Sequence, residues 1–318
     1  MSSKNKLVTI LVPCYNEEQM LPIFYKEIGR IIDNEVDYLW ELLFVNDGSK
    51  DNTASVIELI RKEDKRIAFV DLSRNFGKEA AMLAGFDFAK GDAVIIMDAD
   101  LQDPPSLIPD MLKYWEEGYD DIYAKRKDRG KESWLRKNLS LGYYSLLQKM
   151  TRIDILQNVG DFRLLDRKCV ESLKGLRESE RYTKGLFCWI GYKKKELLFD
   201  RGNRIEGKSA WNFAKLMDLA MEGITSFTTA PLRISTFLGF VVSLTAFIYM
   251  CIVWIKALIW GDPVAGYPSL VMIVLFLGGV QLLSLGIIGE YLSRIFHETK
   301  KRPPYILEKY VESEVSKI

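Results

Sequence analysis

Leu7-Val-Thr-Ile-Leu-Val-Pro-Cys-Tyr15, followed directly by Asn16-Glu-Glu-Gln19, is the stretch on which the fold reading turns. The first part is a continuous β-prone run, the pattern of a strand covered on both faces. The second has capping-box spacing, so a helix is predicted from about Glu17 to Ile32. Outward from there the pattern repeats. Leu39 to Val45 is apolar, Asn46-Asp-Gly-Ser49 is a turn, Asp51 to Arg61 carries helical spacing, and Ile67 to Leu72 is a strand. A further helix is predicted from about Gly77 to Ala89, and a buried strand from Ala93 to Met97. Four strands alternating with helices predict an α/β domain with a mostly parallel sheet. Such sheets bind ligands beyond the carboxyl ends of their strands, and those ends carry Asn16-Glu17, Asp47, Ser73-Arg74 and Asp98-Ala-Asp100.

The chain has 318 residues, 48% of them apolar and 27% charged, with 44 Lys+Arg against 43 Asp+Glu. This balance argues against a disordered tail or a basic nucleic-acid-binding protein. The mean hydropathy of −0.03 conceals a severe segregation. No charge occurs from Ile234 to Ile255 or from Ser269 to Gly289, each close to the roughly 20 residues that cross a bilayer. Gly261 to Pro268 is too short to hold a domain, so a transmembrane hairpin is predicted. Arg233 precedes it, Arg294, Lys300, Lys301 and Arg302 follow it, and Asp262 lies in its loop with only Lys256 nearby, which places both ends in the cytoplasm. Gln281, Ser284 and Gly278-Gly279 suit helix contacts and a homo-oligomer. The predicted organisation is a cytoplasmic domain over 1–206, a juxtamembrane amphipathic segment over 207–232, a hairpin over 233–293 with spans at about 234–257 and 268–291, and a cytoplasmic tail over 294–318.

Met1 to Lys6 is polar and Leu7 to Val12 too short for a signal core, so no cleavable signal is expected. Cys14, Cys169, Cys188 and Cys251 match neither a zinc pattern nor a small disulfide framework. One histidine, His297, leaves no basis for a His-ligated metal or a Ser-His-Asp triad. The chemistry must therefore run on carboxylates, Arg/Lys and hydroxyls. Asp98 and Asp100, two apart at a strand end, suit one hard cation, and Gln102 is close enough to add an amide oxygen. Alternatively these carboxylates solvate the strand end, while Asp103-Pro104 caps the next helix.

Val12-Pro-Cys-Tyr-Asn-Glu-Glu18, Val45-Asn-Asp-Gly-Ser-Lys-Asp-Asn-Thr53, Asn75-Phe-Gly-Lys78 and Met97-Asp-Ala-Asp-Leu-Gln-Asp-Pro104 stand in the order and spacing of family 2 glycosyltransferases. Over essentially its whole length the chain resembles the branch that moves a sugar from a nucleotide diphosphate to a polyprenyl phosphate. That branch includes bacterial bactoprenol glucosyltransferases and, more distantly, dolichol-phosphate mannose synthases. The resemblance implies a GT-A-like domain, with Pro13, Tyr15 and Glu17 at the base and ribose, Asp47 at the uracil, Lys78 in the nucleotide pocket, and Mg²⁺ or Mn²⁺ at Asp98 and Asp100. Each also has a plain structural reading: Pro13 ends a strand, Glu17 complements a helix dipole, Asp47-Gly48 makes a turn, and Lys78 lies on a helix surface.

The segment after the sheet is basic and aromatic. Trp134, Leu135, Leu139, Tyr143, Leu146 and Leu147 predict an amphipathic helix over Glu132 to Met150, whose alternative role is ordinary packing on the sheet. By resemblance, Arg126, Arg136 and Ser140 engage the lipid phosphate, Arg204 belongs to a mobile loop beside the diphosphate, and Asp161 matches a proposed catalytic base. A phosphate monoester, with its second pKa near 6, needs little deprotonation, so Asp161 either orients the acceptor or a sugar hydroxyl, or pairs with Arg163. The implied activity is inverting transfer of a hexose, glucose from UDP-glucose first, to undecaprenyl phosphate at the bacterial plasma membrane. A processive polysaccharide synthase would need more spans, and a non-catalytic nucleotide-sugar-binding or flippase subunit sits poorly with an intact acidic set.

Overall fold

The computed structural model describes residues 6–127, 156, 159–179, 181–199, 230–260 and 266–315. The chain divides into two compact units, one made of Met1–Leu216 with Arg302–Ile318 and the other of Met217–Lys301. In the first unit the element order is β1 (Lys6–Cys14), α1 (Met20–Ile32), β2 (Tyr38–Asn46), α2 (Thr53–Glu63), β3 (Ile67–Leu72), α3 (Lys78–Phe88), β4 (Ala93–Ile96), a short 3-10 turn (Pro105–Leu107), α4 (Ile108–Glu116), β5 (Asp121–Arg126), β6 (Val159–Asp166), α5 (Arg167–Gly175), α6 (Thr183–Trp189) and β7 (Lys194–Phe199). The second unit holds α7 (Ala230–Trp260) and α8 (Tyr267–Thr299), after which β8 (Leu307–Val311) returns to the first.

One eight-stranded sheet runs in the order β7-β5-β6-β4-β1-β2-β3-β8. The stretch β4-β1-β2-β3 is parallel, as the alternating pattern requires, and β5 pairs with β7 in parallel. β6 is antiparallel to both β4 and β5, and β8 is antiparallel to β3. Leu7, Val8, Ile10, Leu11 and Val12 of β1 are all buried, which accounts for its unbroken apolar run. Helix α1 buries Leu21, Phe24, Ile28 and Ile32 at steps of three and four. Helix α3 lies close against the sheet: a Cβ on Gly85 would sit 2.1 Å from Cδ1 of Leu11.

One local expectation changes. The capping box at Asn16 to Gln19 is not formed, because the Asn16 side-chain oxygen accepts the Lys50 N–H at 2.9 Å and α1 starts at Met20 with no side-chain cap. Beyond the second uncharged stretch, α8 continues to Thr299 and Leu307–Val311 make the edge strand β8. Ser73 N–H donates to the Ile306 carbonyl and Glu314 N–H to the Lys65 carbonyl, extending the pairing beyond both ends of β8.

Within the second unit α7 and α8 pack on each other, at 31 and 33 residues. Among the described residues, Phe276–Thr299 is long and apolar enough to cross a membrane, and Ser235–Tyr249 is a shorter apolar stretch. Phe237, Phe240, Phe247, Leu282 and Leu285 on these helices are exposed in the isolated chain, an apolar surface beyond the ordinary for a soluble monomer.

Candidate active site

The sheet registers decide which carboxylates meet. In the parallel pair, Leu11 lies opposite Ile96, so Asp98 falls level with Pro13. In the antiparallel pair, Ile96 lies opposite Arg163, so counting two residues past each strand position puts Asp161 opposite Asp98. Lys78, at the first turn of α3, reaches between them. Its Nζ is 2.7 and 2.8 Å from the two oxygens of Asp98 and 2.7 Å from Oδ2 of Asp161. Burial works against the Lys78 charge, but the Asp98 and Asp161 carboxylates outweigh it and raise the ammonium's pKa well above its ordinary value. Burial likewise disfavours an ionised Asp161, whose side chain is 11% exposed. The positive charges of Lys78 and Lys184 overcome that and hold its pKa below the usual carboxylate value. Oδ1 of Asp161 is buried with no hydrogen-bond partner among the described residues.

Asp100 is held differently. Leu101 adopts a left-handed φ of 53°, unusual for a branched residue, and this turns the chain so that both Gln102 donors face back. Gln102 N–H donates to one oxygen of Asp100 at 3.1 Å, and its side-chain amide donates to the other at 2.6 Å. Gln102 is thereby placed to fix Asp100 through its amide nitrogen. Glu17 closes the acidic side. Burial first, then the charges of Asp100 and Asp98, raise its pKa from 4.5 to about 7, so three carboxyl groups feel one another across the strand ends. Among the described residues, no group of three or more His, Cys, Asp and Glu is arranged to enclose a metal ion.

The loops after β1 and β2 are tied together by short polar side chains. Asn16 N–H donates to Ser49 Oγ at 2.9 Å, Glu17 N–H donates to Thr53 Oγ1 at 2.8 Å, and Asn52 N–H donates to a Glu18 oxygen at 3.0 Å. The buried Asp47 carboxylate accepts Phe76 N–H at 2.7 Å and Gly77 N–H at 2.9 Å. It therefore organises the loop leading to Lys78, and its oxygens retain lone pairs for a further donor. Gly48 has φ +59°, and a Cβ there would lie 2.2 Å from the Arg74 backbone, so only glycine lets the two loops come this close. Tyr15, 42% exposed, and the half-buried Pro13 stand at the rim of the same edge.

The anticipated alternative partner of Asp161 is engaged elsewhere. The fully buried Arg163 guanidinium reaches Asp121 at 3.1 Å and the Gly160 carbonyl at 3.3 Å, and lies 3.7 Å from the Phe187 ring centroid. It braces the backbone beside Asp161 while Lys78 supplies the counter-charge. Arg126 at the end of β5 has one guanidinium nitrogen 3.8 Å from Asp103, and its buried Nε has no hydrogen-bond partner among the described residues. Arg136, Ser140 and Arg204 lie outside the described residues. The side chains that tie the loops, Glu18, Ser49 and Thr53, were inside the quoted motifs without an assigned role; only their partners across 33 to 36 residues reveal it.

An α/β sheet carrying acidic residues, a lysine and buried polar loops at the carboxyl ends of its parallel strands is the architecture of a protein that binds its ligand at that edge. Residues 9–174 match the family described as glycosyl transferase family 2, and residues 230–295 match the GtrB C-terminal hairpin. The chain is 45% identical to an uncharacterized glycosyltransferase of Synechocystis, with 94% of each chain covered. It is 44% identical to a prophage bactoprenol glucosyl transferase homolog of Escherichia coli, over 95% of this chain and 98% of that one. Among solved structures, glucosyl-3-phosphoglycerate synthase from Mycobacterium tuberculosis, in complex with Mn²⁺ and UDP-glucose, is similar with a TM-score of 0.46, 18% identity and coverage of 69% of this chain and 77% of that one. The chain belongs to glycosyltransferase family 2 and is a glycosyltransferase.

Proposed function

We propose that the protein transfers glucose from UDP-glucose to polyprenyl (undecaprenyl) phosphate with inversion, at the cytoplasmic face of a bacterial plasma membrane. The observation that carries this reading is the likeness to bactoprenol glucosyl transferases across both parts of the chain: 44% identity with 95% of this chain covered, together with the match to the GtrB hairpin. The acidic edge supports it chemically. Pro13, Tyr15, Glu17 and Asp47 hold the nucleoside, and Asp47 also fixes the loop before Lys78.

The residues present fit a divalent cation, Mg²⁺ or Mn²⁺: Asp98 and Asp100 share a strand end, and burial together with their charges raises Glu17 to about 7. Mg²⁺ is commonly held by one or two carboxylates together with substrate phosphates and water, so no three-carboxylate cage is required. Asp98 and Asp100 would hold the ion, which would supply positive charge to the diphosphate leaving group. Gln102 keeps Asp100 oriented for it.

One oxygen of the lipid phosphate forms the new bond to the sugar C1, the bond from C1 to the β-phosphate oxygen breaks, and UDP leaves with that electron pair. The acceptor is largely dianionic at neutral pH. Asp161, held ionised by Lys78 and with Oδ1 unpartnered, serves as the catalytic residue that accepts a hydrogen bond from the acceptor's remaining proton or a sugar hydroxyl. Arg126, Arg136 and Ser140 receive the lipid phosphate, and Arg204 the diphosphate, because a guanidinium keeps its charge and offers a fixed fork of donors.

The two long helices form a two-span hairpin with both termini cytoplasmic, and the protein is a homo-oligomer. In this reading the bilayer delivers the acceptor. The test is incubation of purified protein and undecaprenyl phosphate with labelled UDP- and GDP-sugars. Lipid-linked glucose from UDP-glucose is expected; transfer only from another donor, or only into polymer, would overturn the assignment.

A further inference from the structure

Lys78 makes three short contacts to two carboxylates that would otherwise face one another: 2.7 and 2.8 Å to the oxygens of Asp98 and 2.7 Å to Asp161. Asp98 is also a residue that would hold the divalent cation. Its two oxygens cannot serve an ammonium on both sides and a dication at the same time without bringing the two cations close. At 4 Å a single charge facing a double charge is opposed by roughly 2 kcal/mol even at the dielectric of water, and by several times that in a partly buried site. Asp161 offers Lys78 a second anchor that does not depend on Asp98, because Oδ2 remains its partner however Asp98 is used.

We infer that Lys78 is a competing cation for Asp98: it must give up that carboxylate for the divalent ion to bind, pivoting on Asp161 toward the incoming diphosphate, so that metal and nucleotide bind cooperatively. The inference rests on the proposed metal role of Asp98. The chemistry has three parts. With metal alone, the ammonium leaves Asp98 and gains nothing in return. With a nucleoside diphosphate present, the donors released from Asp98 find phosphate oxygens while Asp161 keeps its own, and the displacement is compensated. The nucleotide therefore raises affinity for the metal and, by linkage, the metal raises affinity for the nucleotide by the same factor. Lys78 is in this sense a positioning residue for Asp161 and a gate on Asp98.

The test uses the full-length protein and measures Mn²⁺ binding by the electron paramagnetic resonance signal of the free aqua ion, with and without UDP. For Lys78→Met, Mn²⁺ alone should bind at least about tenfold more tightly than to the parent, a change of about 1.4 kcal/mol, and the enhancement by UDP should shrink. Lys78→Arg keeps the cation and should behave like the parent. Lys184→Met, which removes a charge that acts on Asp161 without touching Asp98, should change Mn²⁺ affinity by less than twofold. Unchanged or weaker Mn²⁺ binding by folded Lys78→Met overturns the inference, as does an equal gain in Lys184→Met, which would reduce the effect to general field strength. Absence of Mn²⁺ binding in the parent even with UDP, alongside normal UDP binding, would instead remove the metal role of Asp98 and the gate with it. If Lys78→Met does not fold, Asp161→Asn gives the second arm: with its other anchor neutralised, Lys78 stays on Asp98, and Mn²⁺ alone should bind more weakly than to the parent.

Discussion

Replacing Ser313 by Ala should destabilise the catalytic domain measurably while leaving its nucleotide pocket intact. Ser313 follows β8 and donates to Oε1 of Glu41 at 2.8 Å in a buried setting. Glu41 is 0% exposed, in the middle of the sheet, and its other oxygen accepts Thr9 Oγ1 at 2.7 Å and Lys90 N–H at 3.1 Å. Removing Ser313 Oγ leaves Oε1 without that donor where water does not replace it. The loss of a hydrogen bond to a buried carboxylate is worth about 1.5–3 kcal/mol. At roughly 2–4 °C per kcal/mol for a unit of this size, the thermal midpoint should fall by about 3–12 °C. The assay is thermal unfolding of the purified full-length protein at one fixed scan rate, paired with UDP titration. Thr299→Ala, at an exposed helix end, serves as the control. UDP affinity should hold, because Thr9 pairs with Glu41 five residues before Cys14 pairs with Asn46, about 17 Å along the strands at ~3.3 Å per residue. A midpoint within about 1 °C of the parent would refute the idea that the C-terminal segment is a structural part of the sheet.

Asp100→Asn should remove divalent-dependent turnover while the thermal midpoint stays near the parent's; full activity of the folded variant in excess chelator would refute the metal role. Glu17 is raised from 4.5 to about 7, so between those pH values the folded state holds more protons than the unfolded chain, and stability falls as pH rises through that window. Glu17→Gln should flatten that slope, read as the thermal midpoint between about pH 5 and pH 7.5, and a parallel slope in both proteins would show the carboxyl titrates normally. Asp161→Asn should lower kcat by orders of magnitude with little change in UDP affinity, whereas a purely structural Asp161 predicts loss of the midpoint instead. Arg136→Ala should raise the KM for polyprenyl phosphate far more than that for the UDP-sugar, with Lys at this position rescuing in part; near-parent kinetics with either substrate varied would return Arg136 to a solvated helix charge.

Local pattern was enough to read the α/β alternation, because an apolar run such as Leu7 to Val12 or Ala93 to Met97 is long enough to be a strand and short enough not to be a helix. It also placed Glu17, Asp47, Asp98 and Asp100 at strand ends, since in a parallel sheet every carboxyl end points the same way. What local pattern does not carry is register and long-range partnership. Asp161 meets Asp98 only because β6 runs antiparallel to β4 with Arg163 opposite Ile96, a pairing between residues some 65 apart in the chain. Arg163, two positions from Asp161, pairs instead with Asp121 because it lies opposite Tyr123 of β5 and Asp121, two residues from Tyr123, shares that face. Gln102 becomes the support of Asp100 through the left-handed turn at Leu101, a conformation no leucine announces. The edge strand β8 was hidden for a related reason. Leu307-Glu-Lys-Tyr-Val311 is short and mostly exposed, so it carries little apolar signal of its own and becomes a strand only where the open edge of β3 supplies its backbone partners. Composition determined which chemistry was possible here; the register of β6, set by contacts far apart in the chain, decided that Asp161 and Asp98 meet.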